Sequence, residues 1–448
     1  MSESVQQTSG DLTAVLRRLN PNVPAGSSGE VMPRTPRQSN AMRQIRAHIG
    51  ADPLAKVLLT GHIGVGKSTE LLHLAKEVGG ERCVVECSVG GTLGSHNVNT
   101  FSLLVVVLDT LIRWWQGRLG DMPAGLVEEL SDHVNDLLPD EKRPPKNNWG
   151  AFIRALRSEL GRRENAPLPI ENDKDLQSLY SEVVQRLALR SVEYTDTIAL
   201  DPSPLALSCE TLLKELAAAV GKPVLLILDD LDKVREQRAR DDVFLHRAMA
   251  WRRLPCGIVS TLPLDAVFSS IGRELDQVWF DVQVLDPFPI PKPEGGSLDE
   301  PELQPYLSIL RSVDAHEAFS GLQCRRLANA SGGLPRVFVS ACSASIAYAV
   351  ERNEQHVRDY HIDLVLRDIA DRWRGRLNDA DYEALVDVLD SEGANVPKAI
   401  QLLRDGILIR DGAAPPEAQF RVAPWAEPLL AAYRRRSDRK LRLPLARE

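Results

Sequence analysis

The sequence has few cysteines, and none of them in a metal-binding pattern. There are six among 448 residues, and no two show the two-residue spacing of a zinc knuckle. Cys83 and Cys87 lie four residues apart in an apolar run, where buried small hydrophobic side chains are a better interpretation than metal ligands. The scarcity and spacing of cysteine predict a reduced, cytoplasmic setting.

Long apolar runs and a targeting segment are also missing. The longest apolar run, at 101–112, is interrupted by Asp109. It is shorter than the about 20 apolar residues that a membrane helix needs. The first ten residues have neither the basic start nor the apolar core of a signal peptide. We therefore expect no membrane span and no membrane partner.

Neither sign of charge dominates the composition. The net charge is -8 and 43% of the residues are hydrophobic, which is ordinary for a globular protein. This balance excludes a surface that is basic as a whole, although local basic patches remain open. A chain of this length buries a large core and predicts about two to four domains.

Five short apolar segments predict parallel strands that are buried on both faces. They lie at 56–60, 82–88, 224–228, 257–261 and 281–285. Stretches with helical spacing separate them, a pattern that favours an α/β fold with a doubly wound parallel sheet.

Changes in composition suggest where the domains begin and end. Residues 1–30 are rich in Ser, Gly, Gln and Asn and predict a mobile arm with one helical patch at 12–19. Residues 31–290 are the predicted core, with a mostly helical insertion at about 98–205. The run PFPIPKPEGG follows as a linker, because its four prolines and two glycines continue neither a strand nor a helix.

The C-terminal part is predicted to be mainly helical. Residues 291–375 read as a helical lid. Residues 376–433 show two helices followed by two short strands, which is the order of a winged helix-turn-helix. The tail at 434–448 holds seven basic residues against two acidic ones, so any nucleic-acid binding is expected to be weak and salt-sensitive.

The segment GHIGVGKST at 61–69 fits the P-loop pattern. Its three glycines allow backbone N–H groups to form an anion nest, and the following helix directs its positive end at the phosphates. Lys67 is predicted to reach the β- and γ-phosphates of ATP, and the Ser68 hydroxyl to ligate Mg²⁺. The predicted nucleotide-binding residues are Gly61, His62, Ile63, Gly64, Val65, Gly66, Lys67, Ser68 and Thr69. His62 is included by position only and has no predicted catalytic role.

A second motif, VLLILDD, is an apolar strand that ends in two acids. In a parallel sheet the ligand lies beyond the carboxyl ends of the strands. Asp229 is therefore the predicted Mg²⁺ ligand, and Asp230 the predicted base that polarises the attacking water. The alternative is an acidic turn that caps the next helix. Asp232 is expected to be a cap or a salt-bridge partner.

Two weaker motifs add further candidate residues. Thr261 ends the strand GIVST, where a polar side chain could orient the γ-phosphate or the water, but a simple strand-end turn explains it equally well. Arg336 follows the turn SGGLP on the first turn of a helix and is a candidate phosphate contact; otherwise it is an ordinary exposed arginine. Candidates for an arginine donated to a neighbouring subunit are Arg252, Arg253 and Arg273.

The motifs GHIGVGKSTEL, LLILDDLDK, IVSTLPL and SGGLPR, in this order, resemble the P-loop ATPases of the AAA+ and STAND superfamilies over about residues 31–430. The resemblance implies a five-stranded parallel core of order 5-1-4-3-2, a helical lid and a C-terminal winged helix. It also implies that Thr261 is sensor 1 and that Gly333 to Arg336 match both an AAA+ sensor 2 and the GLP turn of STAND proteins. Asp230, where AAA+ proteins usually carry Glu, and the long helical insertion lean toward STAND.

The function that this resemblance implies is an ATPase switch. Its nucleotide state would control conformation, assembly into a homo-oligomer or a protein partner, as in bacterial signalling and phage defence. Two other hypotheses stay open: a DNA-associated AAA+ ATPase of the origin-recognition or transposition type, and a nucleotide-dependent scaffold with negligible turnover. The sequence shows no effector domain that would choose among them.

Overall fold

A computed structural model describes most of the chain outside the middle of the predicted insertion. The described residues are 12–19, 21, 39–89, 98–135, 202–234, 236–269, 271–291, 299–391, 397–411 and 419–442. The chain forms two compact units, which we call the sheet unit (Ala41–Thr60 and Leu71–Gln283) and the helical unit (Met1–Asn40, Gly61–Glu70 and Val284–Glu448). The P-loop residues thus group with the C-terminal half of the chain.

A five-stranded sheet lies at the centre of the sheet unit. Its strands are β1 (Lys56–Thr60), β2 (Cys83–Ser88), β3 (Val224–Asp229), β4 (Gly257–Leu262) and β5 (Asp281–Val284). The strand order is β2-β3-β4-β1-β5, and β1, β2, β3 and β4 pair in parallel. Read from the other edge this is 5-1-4-3-2, so the predicted fold class is confirmed.

The register brings the ends of three strands level with one another. Leu59 pairs with Thr261, and Leu228 pairs with Ser260. Asp229, the next residue of β3, therefore lies at the level of Thr261, and β1 ends one residue later at Thr60. The last residues of β1, β3 and β4 thus lie at the same edge of the sheet.

Helices separate the strands of the sheet unit, as right-handed crossovers between parallel strands require. Numbered along the described chain, they are α2 (Asn40–Ala51), α3 (Lys67–Val78), α4 (Thr100–Leu119), α5 (Ala124–Asn135), α6 (Ser203–Val220), α7 (Gln237–Asp241), α8 (Ala248–Arg253), α9 (Leu264–Val267) and α10 (Gly272–Val278). A π turn at Asp242–His246 and a 3-10 turn at Leu231–Lys233 complete the unit.

The core of the sheet unit forms where the apolar faces of these helices cover the strands. Helix α4 is buried along most of its length, from Phe101 to Trp115, and packs on α6 and β2. Cys83 and Cys87 are buried in this core, which agrees with their interpretation as small hydrophobic residues. Part of the predicted helical insertion thus lies in the core, while 136–201 falls outside the described residues.

The helical unit contains the remaining described helices. They are α1 (Leu12–Arg18), α11 (Gln304–Ser312), α12 (Gly321–Ala330), α13 (Pro335–Glu351), α14 (Asp359–Arg374), α15 (Asp379–Ser391), α16 (Pro397–Arg404) and α17 (Glu427–Arg442), with a 3-10 turn at His316–Ala318. Helix α1, in the predicted N-terminal arm, packs against α13 and buries Leu12 and Val15 in the same hydrophobic cluster as Tyr306 and Phe338.

A two-stranded antiparallel hairpin lies between α16 and α17. Its strands are β6 (Leu408–Asp411) and β7 (Gln419–Val422), with Ile409 opposite Arg421 and Arg410 opposite Phe420. Two helices followed by a hairpin match the predicted order of elements. Among the described helices, none has the length and apolar character that a bilayer crossing requires.

Candidate functional site

The P-loop has a backbone conformation that only glycine adopts easily. The φ angles of Gly61, Gly64 and Gly66 are 150°, 82° and 102°. A Cβ atom at Gly61 would lie 2.6 Å from the carbonyl oxygen of Leu285, and one at Gly64 would lie 2.7 Å from the Cβ of Arg336. The glycines are thus required both by their backbone angles and by close neighbours.

Helix α3 begins directly after this loop. The Val65 N–H donates to the carbonyl of His62 (3.1 Å), which closes the loop, and the Glu70 N–H donates to the carbonyl of Gly66 (3.0 Å), which starts the helix. The first N–H groups of a helix have no partner within it, and the helix end is electropositive. Ser68 and Thr69 lie on this first turn, where an anion is favoured.

The Lys67 side chain folds back over the loop. Its ammonium donates to the carbonyls of Gly61 (2.7 Å) and His62 (3.0 Å), and the residue is 5% exposed. The ammonium that is predicted to contact phosphate therefore lies against the backbone carbonyls of the loop itself.

His62 makes a contact that its position in the motif does not suggest. Its side chain is buried, and Nε2 accepts a hydrogen bond from the backbone N–H of Arg410 in β6 at 2.8 Å. Burial, with the positive charges of Lys67, Arg410 and Arg421, lowers the pKa of His62 to about 3. The ring is thus neutral near pH 7, with Nε2 free of a proton.

The GLP turn before α13 is also built on glycine. The φ angles of Gly332 and Gly333 are 62° and 81°. A Cβ at Gly332 would lie 2.5 Å from Cδ1 of Ile409 in β6, and one at Gly333 would lie 2.4 Å from the carbonyl of Phe288. The Phe288 N–H in turn donates to the carbonyl of Gly333 at 2.8 Å. The turn is fixed between the hairpin and the segment after β5.

Arg336 touches the P-loop through its backbone. Its N–H donates to the carbonyl of Gly64 at 3.1 Å, while the residue itself is exposed on the first turn of α13. The turn therefore positions Arg336 beside the loop. A role for its guanidinium on phosphate stays a prediction.

The contact between Gly64 and Arg336 gives a first testable prediction. Gly64→Ala forces a side chain into the left-handed region, which costs about 1–2 kcal/mol, and against the Cβ of Arg336. We expect ATP affinity to fall by about tenfold or more, measured by titration calorimetry. Gly117→Ala is the matched control, because a Cβ there meets nothing within 4 Å. Unchanged affinity in Gly64→Ala would contradict this account of the loop.

Three carboxylates gather after β3 in the sheet unit. The oxygens of Asp229, Asp230 and Asp232 lie within 4.8 Å of one another, and all three residues are half-buried. Carboxylate oxygens are ligands that Mg²⁺ prefers, usually together with water and substrate phosphates, so the chemistry of the group fits the predicted ion. Asp232, expected to be only a cap or salt-bridge partner, belongs to this group as well.

Asp230 is held in an uncommon backbone conformation. Its φ is 72°, and its N–H donates to Oδ1 of Asp229 at 2.7 Å. The Ser88 hydroxyl at the end of β2 donates to Asp230 Oδ2 at 2.8 Å, and Lys233 forms an ion pair with Oδ1. These contacts fix the direction of the predicted base, and Ser88 is a positioning residue that the sequence motif does not reveal.

Thr261 is buried and joins β4 to the turn that carries the acids. Its hydroxyl accepts a hydrogen bond from the Leu231 N–H at 2.9 Å and donates to the carbonyl of Leu228 at 3.4 Å. The hydroxyl thus bonds to the backbone of the residue before Asp229 and to the backbone of the residue after Asp230. This geometry fits a positioning role, while the predicted contact with phosphate or water stays a prediction.

The three arginines proposed to serve a neighbouring subunit lie on the short helices of the sheet unit. Arg252 and Arg253 end α8, and Arg273 lies in α10. Arg253 forms a loose ion pair with Glu210 at 3.8 Å. Nothing in their geometry distinguishes one of them as the donated residue.

Comparisons with known proteins add distant structural similarities. No protein-family model matches the sequence, and no curated protein matches it. Cdc6p from Pyrobaculum aerophilum is 12% identical with a TM-score of 0.41, over 96% of this chain and 99% of that one. The ORC1 protein of Aeropyrum pernix in complex with DNA is 12% identical with a TM-score of 0.38, over 96% and 98%.

The RuvB Holliday junction branch migration motor of Thermotoga maritima is 12% identical with a TM-score of 0.34, over 88% of this chain and 94% of that one. Similarities of this degree establish no family membership. The fold assignment stands on the strand order of the sheet.

Proposed function

We propose that the protein is an ATP-dependent molecular switch that binds ATP with Mg²⁺ at the P-loop and hydrolyses it slowly. The observation that carries this proposal is the P-loop itself. Three glycines with positive φ angles follow β1, and Lys67 and Ser68 open α3. A loop of this kind followed by a helix start binds phosphate through backbone N–H groups.

Each part of the loop has a separate task in binding. The N–H groups of residues 61–69 and the positive end of α3 hold the phosphate oxygens. Lys67 supplies a full charge for the β- and γ-phosphates, and the Ser68 hydroxyl is a ligand for Mg²⁺. Bound Mg²⁺ would neutralise charge that develops on the phosphates during transfer.

The acids after β3 supply the residues for hydrolysis. Asp229 is the proposed protein ligand of Mg²⁺, and Asp230 is the proposed acceptor of a proton from the attacking water. Ser88 and Thr261 hold the turn that presents them, through the hydroxyl contacts to Asp230 and Leu231. The protein therefore has the groups for turnover as well as for binding, which favours an enzyme over a passive scaffold.

A phosphate-release assay tests the hydrolysis part of the proposal. The wild-type protein should release inorganic phosphate from ATP when Mg²⁺ is present, and chelation of the ion with EDTA should stop the release. Saturable ATP binding without any phosphate release would favour the nucleotide-dependent scaffold. Release that continues in EDTA would contradict the role of Mg²⁺.

The contacts of the hairpin support the switch. Strand β6 reaches His62 in the P-loop through the Arg410 N–H, and β7 reaches the GLP turn, where Arg421 Nη2 donates to the carbonyl of Gly332 at 2.9 Å. We propose that helices α15 and α16 and this hairpin form a winged helix that serves as a regulatory module. Its movement would give ATP a route to control conformation, self-assembly or a protein partner.

Helix α16 offers little for reading DNA bases. Gln401 donates to Asp405 at 2.9 Å and accepts from Arg404 at 3.5 Å, so the polar side chains of its last turn bond to one another. A recognition helix needs such side chains directed at base edges. This arrangement favours a packing role for the proposed winged helix over sequence-specific binding.

The basic end of α17 is the better candidate for nucleic acid. Arg434, Arg435 and Arg436 are exposed, and each phosphate contact adds about 0.9 to the salt slope of binding. We expect any DNA binding to be weak, to decrease steeply with salt and to be lost on deletion of 434–448. Fluorescence anisotropy with duplex DNA measures this, and deletion of 443–448 is the matched control. Tight, sequence-selective binding by the protein without 434–448 would favour the DNA-associated ATPase.

A further inference from the structure

His62 is a P-loop residue whose side chain is engaged by a different part of the chain. In a P-loop the phosphate contacts come from backbone N–H groups, the lysine and the hydroxyl. The motif therefore gives the residue after its first glycine no side-chain task. Here the side chain of His62 is 2% exposed, and its Nε2 accepts from the backbone N–H of Arg410, a residue 348 positions away in the sequence. A buried polar group normally has a hydrogen-bond partner, and the ring of His62 finds one in the hairpin.

The hairpin presents an N–H group that would otherwise lack a partner in the sheet. The carbonyl of Ile407 accepts a hydrogen bond from the Ala423 N–H. In an antiparallel pair every second residue is hydrogen-bonded to the opposite strand, so Ile409 faces β7 in this way and Arg410 does not. The backbone N–H of Arg410 therefore points away from β7. An outward N–H on an edge strand needs a partner when it is buried. Nε2 of His62 is that partner.

Arg410 also fixes the same strand to the segment after β5. Its side chain is 3% exposed, and Nη1 lies 2.7 Å from Oδ1 of Asp286. A single residue of β6 thus contacts the P-loop through its backbone and the residue before Pro287 through its guanidinium. Arg410 thus attaches the hairpin to both His62 and Asp286.

The backbone of His62 is joined to the phosphate-binding lysine. Its carbonyl accepts from Lys67 Nζ at 3.0 Å, while its ring accepts from Arg410. A triphosphate that draws the ammonium toward its β- and γ-oxygens removes the donor from this carbonyl. The peptide of His62 then loses one of the contacts that fix it, and the ring moves with that peptide.

We propose that His62 is a latch that couples phosphate binding at the P-loop to the position of the β6–β7 hairpin. Contact between Lys67 and the His62 carbonyl keeps the ring on the Arg410 N–H; ATP competes for the ammonium and releases the hairpin. This inference rests on the proposed function and specifies how the same site is regulated.

Protonation of the ring must also release the latch, because an imidazolium has no acceptor nitrogen. The charged groups that face the ring are Lys67 from α3 and Arg410 and Arg421 from the hairpin, and the backbone of Leu403 in α16 also contacts it. The pKa of His62 is about 3 when latched and returns toward its ordinary 6.5 when released. The latched state is therefore fully favoured above pH 6.5 and loses stability as the pH falls from 6.5 toward 3.

Amide hydrogen exchange of residues 406–411, followed by mass spectrometry on the full chain, tests the latch. His62→Leu removes the acceptor and should speed exchange by about five- to tenfold without nucleotide. His62→Gln keeps an acceptor oxygen and should exchange like wild type. His356→Leu is the matched control for loss of a histidine, because His356 is exposed in the same unit.

Nucleotide and pH provide two further comparisons in the same assay. Mg²⁺ with a non-hydrolysable ATP analogue should speed exchange of 406–411 by at least about fivefold in wild type and His62→Gln, and have little effect in His62→Leu. Lowering the pH to about 5 should speed exchange, after correction for the chemical rate, by about tenfold or more in wild type but not in His62→Gln.

Parallel calorimetry of ATP binding separates failure of the latch from failure of the proposed function. If wild type binds ATP and exchange of 406–411 responds neither to the analogue nor to His62→Leu, the latch is wrong and the proposed function stands. If wild type binds no ATP, the proposed function is wrong. Faster exchange in His62→Leu than in His356→Leu would then still support the latch contact, and equal exchange would overturn it.

Discussion

Replacing Lys67 with alanine should weaken ATP binding severely. The ammonium is a full positive charge at the first turn of α3, whereas the backbone N–H groups of the loop carry only partial charges. Hydrogen bonds to charged groups contribute about 1.5–3 kcal/mol each. Losing two such contacts, to the β- and γ-phosphates, should weaken binding by about 100-fold to 10,000-fold. Titration calorimetry with Mg²⁺ and ATP measures the change.

Lys76→Ala is the matched control for this variant. Lys76 lies in the last turn of the same helix and is exposed, so its loss removes an equal charge without touching the loop. Its ATP affinity should equal that of the wild type. Wild-type affinity in Lys67→Ala would mean that nucleotide does not bind at this loop.

The Asp230→Asn variant should bind ATP normally and lose turnover. An amide cannot accept a proton from water, and a positioned base typically accelerates proton transfer by about 100-fold to 10,000-fold. Asparagine tolerates the positive φ of 72° at this position, and its side-chain oxygen still accepts from Ser88. Phosphate release under saturating ATP should fall within that range, with an unchanged dissociation constant from calorimetry.

Asp314→Asn serves as the comparison for Asp230→Asn. Asp314 is another aspartate with a positive φ, at 53°, and it pairs with Arg18 on the surface of the helical unit. Its substitution should change neither affinity nor turnover. Normal phosphate release by Asp230→Asn would show that another group accepts the proton.

The strands of the sheet could be predicted closely because their apolar runs end at polar or turn-forming residues. Strand β1 has the predicted bounds, and β3 and β4 extend by one residue each, to Asp229 and Leu262. A strand that is buried on both faces has little choice of composition, so its sequence carries a strong signal. The strand order came from the resemblance of the motifs rather than from the strands themselves.

The parts of the site that depend on local sequence were also predictable. The left-handed angles of Gly64 and Gly66, the helix start at Lys67 and the strand end at Asp229 all lie within a few residues of their motifs. The inclusion of Asp232 in the acidic group was missed. Its spacing of three from Asp229 across a 3-10 turn was the available signal.

The contacts of His62 could not be predicted from the motif. A hydrogen bond from the Arg410 backbone has no side-chain signature at its donor, since every residue except proline offers the same N–H. The contact between His62 and Arg410 depends on the tertiary fold, which brings residues 348 positions apart together, and no local sequence pattern encodes it. The available signal was a histidine at a motif position whose side chain does not contact phosphate, which suggests that the side chain contacts another part of the protein.

The central claim is that the P-loop binds ATP together with Mg²⁺, and equilibrium titration of the wild-type protein tests it most directly. Calorimetry with ATP in Mg²⁺ should show saturable binding of one nucleotide per chain. The same titration in EDTA should show weaker binding, because the Ser68 hydroxyl, a proposed Mg²⁺ ligand, would lose the ion through which it contacts the phosphates. Absence of saturable binding at millimolar ATP, with or without Mg²⁺, would contradict the account.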